Sequence, residues 1–393
     1  MISATEISAH LDHDRLIDRL AAMVRIPSEN PPGDEAKVAA WSAALCDDLG
    51  FEVKTFEAEP NRPSVVARRT HGDGPTLSFC SHYDVVPAGD PSLWAEDPYG
   101  AVIKDGQMIG RGSSDAKGPI AAAFEAVEIL DALDARFNGT LEFALVADEE
   151  AMGFKGAGYL VSEGIVRPDS AIVGEPTRLR VVRGQRGPCW MRIFVRGKAG
   201  HGSAPERGVN AIKHTAEIVL RLDETLPDID HPLLGAPTVN VGTIRGGEKV
   251  NVIPAGCLIE VDRRSVPGET RASVIESVEQ AIELARERFP DIDATVELPY
   301  FGNPFEIAAD ATIVQECVAA LSEVTGKPTD VVGFRGSSDA RFMFEAGAEV
   351  VVCGPGEIKV AHTAHESIEL AELEQGAMGY AAAFARLLSM TAG

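Results

Sequence analysis

The chain is short of positive charge: 36 Lys and Arg stand against 60 Asp and Glu over 393 residues, a formal charge of −24. A surface of that sign repels phosphate backbones and anionic headgroups, which argues against nucleic acid and membrane surfaces as partners. Cysteine is sparse as well. The thiols of Cys46, Cys80, Cys189, Cys257, Cys317 and Cys353 lie far apart with no CxxC pair. That spacing suits reduced thiols in a cytoplasm better than a disulfide frame or a thiolate zinc site. No apolar run approaches the ~20 residues needed to span a bilayer. The N-terminal MISATEISAHLDHDRL also lacks the basic-then-apolar order of a secretory signal. There is no fixed-period repeat and no low-complexity segment. What is present is 45% hydrophobic and 24% charged, the composition of a folded chain. Its length suits roughly two or three domains of ~100–200 residues.

The first part alternates helix-like and strand-like segments. LDHDRLIDRLAAMVRI and AKVAAWSAALCDDLG carry helical periodicity, the second stopping at Gly50. Strand-like runs follow at FEVKTFEA, PSVVARR, TLSFCSHYDVV, TLEFALVAD and SAIVGE, with the helical GPIAAAFEAVEILDAL between the third and fourth. This order predicts an α/β domain with a mostly parallel sheet covered on both faces, its ligands collecting at the carboxyl ends of strands. From about Val182 the rhythm becomes β-α-β-β-α-β, a ferredoxin-like unit. It reads as an insertion over 182–294, with the α/β domain built from 1–181 and 295–393.

Several strand exits carry acids. LEFALVADEEAMG runs from apolar residues into Asp148, Glu149 and Glu150, where like charges repel unless something positive sits nearby. On this stretch alone a solvated turn explains the acids as well as a functional role does. In SFCSHYDVV, His82 and Asp84 are two apart on a strand and share a face; a carboxylate there can fix the imidazole tautomer and leave the other nitrogen for a metal. Asp115 lies in a glycine-bounded turn before a helix, where it could equally be an N-cap. Glu175 ends another strand before Pro176, and GEIKVAHTAHESIEL supplies His362 and His365 ahead of the last helix. Imidazoles and carboxylates from separate strand ends of one sheet make a mixed N/O site that suits zinc or cobalt better than calcium or magnesium.

In order, the chain carries HYDVVP, GRGSSDAKG, the DEE exit, GEPT, GHGSAPERGVNAI, NVIPAGC, DRRSVPG, GSSDARF and HTAHE. This series resembles the zinc-dependent aminoacylase, acetylornithine deacetylase and succinyl-diaminopimelate desuccinylase family, over nearly the whole length. The resemblance implies a zinc-hydrolase catalytic domain with an inserted lid and dimerisation domain. It further implies two divalent ions, Zn2+ with Co2+ able to substitute. One would be held by His82, Asp115 and Glu175 and the other by Asp115, Glu150 and His362. Asp84 would support catalysis, and the peptide after Asp115 would be cis. Glu149 would be the general base.

His201 resembles the family histidine that reaches into the partner subunit's site. Arg264 resembles the clamp for a substrate carboxylate, with Asn251, Ser337 and Ser338 as further substrate contacts. His365 departs from the family pattern, which has an amide or carboxylate at that position. The implied activity is hydrolysis of a small N-acyl-L-amino acid by a cytoplasmic homodimer. GHGSAPERGVNAI favours acetylornithine-type deacetylation and GSSDARF the desuccinylase branch. A carboxypeptidase acting on short peptides and a non-catalytic binding subunit stand as alternatives.

Overall fold

Runs of β-branched and aromatic residues closed by Gly, Pro or Asp become strands, and the Ala-rich periodic runs between them become helices. In the computed structural model, which describes residues 2–391, the chain divides into two units. One runs up to Arg183 and resumes over Ile307–Val332 and from Ser338; the other comprises Gly184–Glu306 with Gly333–Ser337.

The first unit opens with α1 (His13–Val24) and α2 (Ala36–Asp48), followed by β1 (Glu52–Glu57), β2 (Pro63–His71) and β3 (Thr76–His82). Next come α3 (Lys117–Ala132), β4 (Gly139–Val146) and β5 (Ser170–Val173). The inserted unit supplies β6 (Gly187–Arg196), α4 (Ala211–Arg221), β7 (Thr238–Gly246), β8 (Gly256–Ser265), α5 (Arg271–Arg286) and β9 (Asp293–Phe301). The chain closes with α6 (Thr312–Thr325), β10 (Glu349–Val352) and α7 (Leu370–Leu387).

The large sheet runs β1-β2-β4-β3-β5-β10. The four strands from β4 to β10 are parallel, as the βα rhythm predicts. β1 and β2 are antiparallel to their neighbours, because residues 58–62 are too short a link for the dozen-residue crossover that parallel pairing needs. Register fixes the site: His82 pairs with Val146, and Cys80 and Val352 both pair with Val173. β3 and β4 therefore end together, and β5 and β10 end together two residues earlier, side by side. Phe79 and Phe143 on the sheet meet Phe124 of α3 and Tyr380 and Phe384 of α7, with ring centroids 5.1–6.3 Å apart. Burying rings of this size supplies much of what holds the two helices to the sheet.

The inserted unit has the order β7-β8-β6-β9, antiparallel throughout. β6 alternates cleanly, with Cys189, Met191, Ile193 and Val195 in the core and Trp190 and Phe194 exposed. Those inner residues join Ile218, Val274, Val278 and Ile282 from α4 and α5 in a core of their own. The compact unit differs in its limits from the expected 182–294. β9 pairs with β6 from Asp293 to Phe301, so the last strand of the inserted sheet runs past 294. The unit begins at Gly184, ends at Glu306 and takes in Gly333–Ser337.

Candidate metal centre and active site

The His82, Asp148–Glu150 and Glu175 segments leave adjacent strands that end within two residues of one another, so they converge. His82 is the last residue of β3, Asp148–Glu150 follow β4 and Glu175 follows β5. Asp115 sits just ahead of α3, and the Asp115–Ala116 bond that follows it is cis. His82, Asp115 and Glu175 form one group and Asp115, Glu150 and His362 a second, with donor atoms in each within 4.8 Å of one another.

Asp115 belongs to both groups, and its two oxygens face two different imidazoles. Oδ1 lies 3.2 Å from His82 Nε2 and Oδ2 lies 3.3 Å from His362 Nε2. His82 Nε2 is 3.8 Å from Glu175 Oε2, and His362 Nε2 is 3.0 Å from Glu150 Oε2. Donors around one tetrahedral ion with bonds of ~2.0–2.1 Å stand roughly 3.3 Å apart, so both groups fit a small divalent cation with mixed N/O ligands.

The electrostatics agree with that fit. Burial pushes Glu175 up to about 7 against the pull of the His82 hydrogen bond. Burial also raises Glu149 well above the usual carboxylate range, with the Glu175 charge adding to it. Glu150 is raised by burial and by the charge of Asp115. Burial alone would raise Asp115 too, but hydrogen bonds from His362 and His82 hold it well below the usual range. His362 is pushed up to about 10 by its hydrogen bonds to Asp115 and Glu150. For His82, burial favours the neutral ring, yet contacts with Asp115, Asp84 and Glu175 prevail and raise it. Histidines here hold protons in place of cations, a balance that bound dications would invert.

Asp84 lies just beyond the end of β3 at His82, and it meets the His82 ring with both its main chain and its carboxylate. His82 Nδ1 lies 2.9 Å from the Asp84 backbone oxygen and 3.5 Å from Oδ1. The buried Asp84 carboxylate also accepts the backbone N–H groups of Glu149 and Glu150, at 3.2 and 3.1 Å, and Nδ2 of Asn30 at 2.9 Å. One residue thus orients the His82 ring, chiefly through its main-chain oxygen, and holds the acidic turn with its side chain.

Asp148 has the positive neighbour that three adjacent acids require. Arg62 Nη1 donates to its Oδ1 at 2.6 Å and the Lys155 N–H to its Oδ2 at 3.0 Å. The same guanidinium binds the buried Glu35. Sequence reading missed Arg62, Glu35 and Asn30; a single Arg between two prolines' neighbours in PNRPS carries no periodic or motif signal. The acidic turn is also strained. Asp148, Met152 and His362 all have left-handed backbones, φ 72°, 85° and 61°, a conformation uncommon for residues with a Cβ and found at sites fixed by their surroundings.

In the inserted unit, Gly200–His201 pairs with Val252–Ile253, and the Gly202 N–H donates to Asn251 O at 2.8 Å. His201 and Asn251 are therefore neighbours; His201 is exposed, with Nδ1 2.7 Å from Ser203 Oγ. Arg264 donates to Asp262 through Nε and Nη2 at 3.2 and 3.0 Å. It is paired across the sheet with Pro188, close to Arg186, whose N–H binds Phe334 O just before Arg335. Burial, and then the charges of Arg335 and Arg264, lower the pKa of Arg186. Ser337 Oγ is 3.3 Å from Gln185 Nε2. Ser338, in the other unit, accepts the Ala340 N–H through its Oγ at 3.3 Å, just ahead of the short helix Ala340–Glu345. His365 is exposed, its N–H bound to Thr363 Oγ1.

Among known proteins, residues 79–386 match the model of peptidase family M20/M25/M40. An acetylornithine deacetylase of Myxococcus xanthus is 37% identical over 351 residues, 86% of each chain. One from Proteus mirabilis is 32% identical, covering 91% of this chain and 92% of its own. Among solved structures, the aminopeptidase PepT of Bacillus cereus has a TM-score of 0.78 at 24% identity, covering 95% of this chain and 98% of its own. An M20 family metallo-carboxypeptidase of Sulfolobus solfataricus has a TM-score of 0.76 at 19% identity, with 95% and 99% covered; at these identities the likeness concerns the fold. Both donor groups and Glu149 fall inside the stretch that matches the family, and the chain belongs to peptidase family M20/M25/M40 as a metal-dependent hydrolase.

Proposed function

We propose that this protein hydrolyses the amide bond of a small N-acyl-L-amino acid, in the manner named for its acetylornithine deacetylase relatives. The observation that carries the reading is Asp115, one carboxylate with its oxygens turned to two histidine-bearing donor groups. His82, Asp115 and Glu175 would hold one ion and Asp115, Glu150 and His362 the other. Zinc, with cobalt as a substitute, suits this donor chemistry. Bound there, such ions polarise a carbonyl and make water a stronger acid at neutral pH.

Glu149 is the general base. It takes a proton from the water that attacks the amide carbon and gives it to the amine nitrogen as the C–N bond breaks. Its burial suits this task, since a carboxyl raised toward neutrality both accepts and returns a proton. Asp84 holds the amides of Glu149 and Glu150 and thereby aims both acids. Arg264 clamps the substrate carboxylate, a role that suits a planar fork of donors, with Asn251, Ser337 and Ser338 as further contacts. His201 donates to the developing oxyanion from the partner subunit of a homodimer formed through the inserted unit. The six cysteines are free and buried, in keeping with a cytoplasmic enzyme.

A second reading has its own observation. Arg186, Arg264 and Arg335 gather at one end of the inserted unit's sheet, in a chain otherwise poor in positive charge. Arg186 is committed to Leu234 O, and the Arg264 and Arg335 guanidiniums favour a substrate with a second carboxylate, as a desuccinylase-like enzyme would take.

The test is zinc- and cobalt-supplemented hydrolysis of N-acetylornithine, N-succinyl-diaminopimelate, other N-acetyl amino acids and dipeptides, with a chelator control. Preference for acetylornithine supports the first reading, and preference for a succinyl substrate supports the second. Chelator-sensitive cleavage of dipeptides alone points to a carboxypeptidase. A metal-bound protein inactive on the whole panel sinks the catalytic reading. The shared site is tested by mixing His201→Ala and Glu149→Gln protomers; no recovery of activity in the mixed dimers removes His201 from the partner's site.

A further inference from the structure

The Glu366 carboxylate is fully buried, and its hydrogen bonds do more than satisfy it. Oε1 accepts three backbone N–H groups, those of Gly112, Ser114 and Asp115, at 2.9, 3.2 and 3.1 Å. Oε2 accepts from Nη1 of Arg111, which is itself buried beneath the Trp94 ring. The Glu366 backbone oxygen binds the Gly110 N–H at 3.1 Å. Every residue from Gly110 to Asp115 except Ser113 is thus tied to this one residue. Ser113 is held within the turn, its N–H bound to Gly110 O at 3.1 Å.

Successive amides converging on one oxygen form a concave anion cradle, here filled by a side chain of the protein. Glu366 also stands four positions after His362, and the segment that follows it, Ser367–Glu369, pairs with Gln107–Ile109. It therefore joins the segment bearing His362 to the turn bearing Asp115.

We infer that Glu366 is a positioning residue that locks the Asp115 turn against the His362 segment, so that the two Asp115 oxygens face separate donor groups. The inference rests on the reading of Asp115 as a shared metal ligand. Loss of a partner that orients a ligand from behind typically weakens metal binding by about 10–100-fold. A group that merely stabilised the fold would leave metal affinity of the folded protein unchanged.

The test is zinc titration of the chelator-treated, full-length protein, wild type beside Glu366→Gln, together with the visible spectrum of the cobalt-loaded forms. With its oxygen on the three amides, a glutamine turns an NH2 group toward the Arg111 donor and loses that contact. The expected result is two tight equivalents in the wild type and a loss of about 10–100-fold in affinity in the variant, with an altered cobalt spectrum. Two equivalents at wild-type affinity and an unchanged spectrum in Glu366→Gln overturn the inference while leaving the metal reading intact. A wild type that takes up no zinc overturns both. If Glu366→Gln does not fold, Arg111→Gln carries the test, since it frees Oε2 and leaves the three amide contacts in place. Weaker zinc binding by that variant supports the lock, and unchanged binding refutes it.

Discussion

Asp148, Glu149 and Glu150 are consecutive acids that do three different things, because each meets a different neighbour. Asp148 is paired with Arg62, Glu149 is half-buried beside the charges of Glu175 and His82, and Glu150 faces His362. Replacing Glu149 with Gln should lower kcat by about 10²–10⁴-fold, the usual worth of a general base, while bound metal stays at the wild-type stoichiometry. Retained activity would remove the base assignment. Arg62 makes a different prediction. Arg62→Ala leaves Glu35 and Asp148 buried without their cation, and breaking such a group costs about 3–5 kcal/mol. Urea unfolding should show that loss, and a midpoint within error of wild type would mean that water replaces the guanidinium.

At the scale of elements, the decisive unit is the turn after β4. It leaves the strand through left-handed Asp148, makes one short turn over Glu149–Ala151 and leaves it through left-handed Met152. Four residues later the chain passes so close to the strand end that a Cβ at Gly156 would lie 1.8 Å from Ala147 O. Gly156→Ala must therefore displace backbone, not a flexible side chain. A stability loss of about 1–3 kcal/mol is expected, with a larger fractional fall in kcat than in substrate binding, because the turn carries both Glu149 and Glu150. Steady-state kinetics beside a melting curve checks this; wild-type kcat would show that the turn tolerates the shift.

For the whole molecule, the donor groups tie stability to metal and pH. In the metal-free protein Glu175 sits at about 7, against 4.5 for an ordinary Glu, so the folded state keeps a proton that the unfolded chain has released. Stability of the chelated protein should fall as pH rises from about 4.5 to about 7. His362, raised from 6.5 to about 10, continues the fall above that window. Asp115, held low, acts in the opposite sense only below its ordinary value of 3.8. Zinc should raise the melting temperature and flatten the profile. A metal-free protein whose melting temperature is level from pH 5 to 8 would count against the electrostatic account.

The sequence by itself determined the chemistry of the site and the class of fold. His82, Glu150 and Glu175 lie at or just past strand ends, whereas Asp115 and His362 lie in turns, so the full donor set followed from the resemblance of the motif series and not from spacing. The β-α-β-β-α-β rhythm of the inserted unit was legible because period-2 and period-3.6 patterns alternate there without ambiguity. What only the tertiary structure decided was how those donors are held. Arg62, Asn30 and Glu35 reach the site from loops far away in sequence, and no local pattern marks a side chain whose partner lies dozens of residues off. Asp84, just beyond the end of β3, gives its carboxylate to the Glu149 and Glu150 amides as well as to the His82 ring, and the last strand of the inserted unit runs past 294, bonded to β6. Local spacing fixes which face a residue occupies, whereas hydrogen-bond partners and domain limits follow from which distant segments the folded chain brings together.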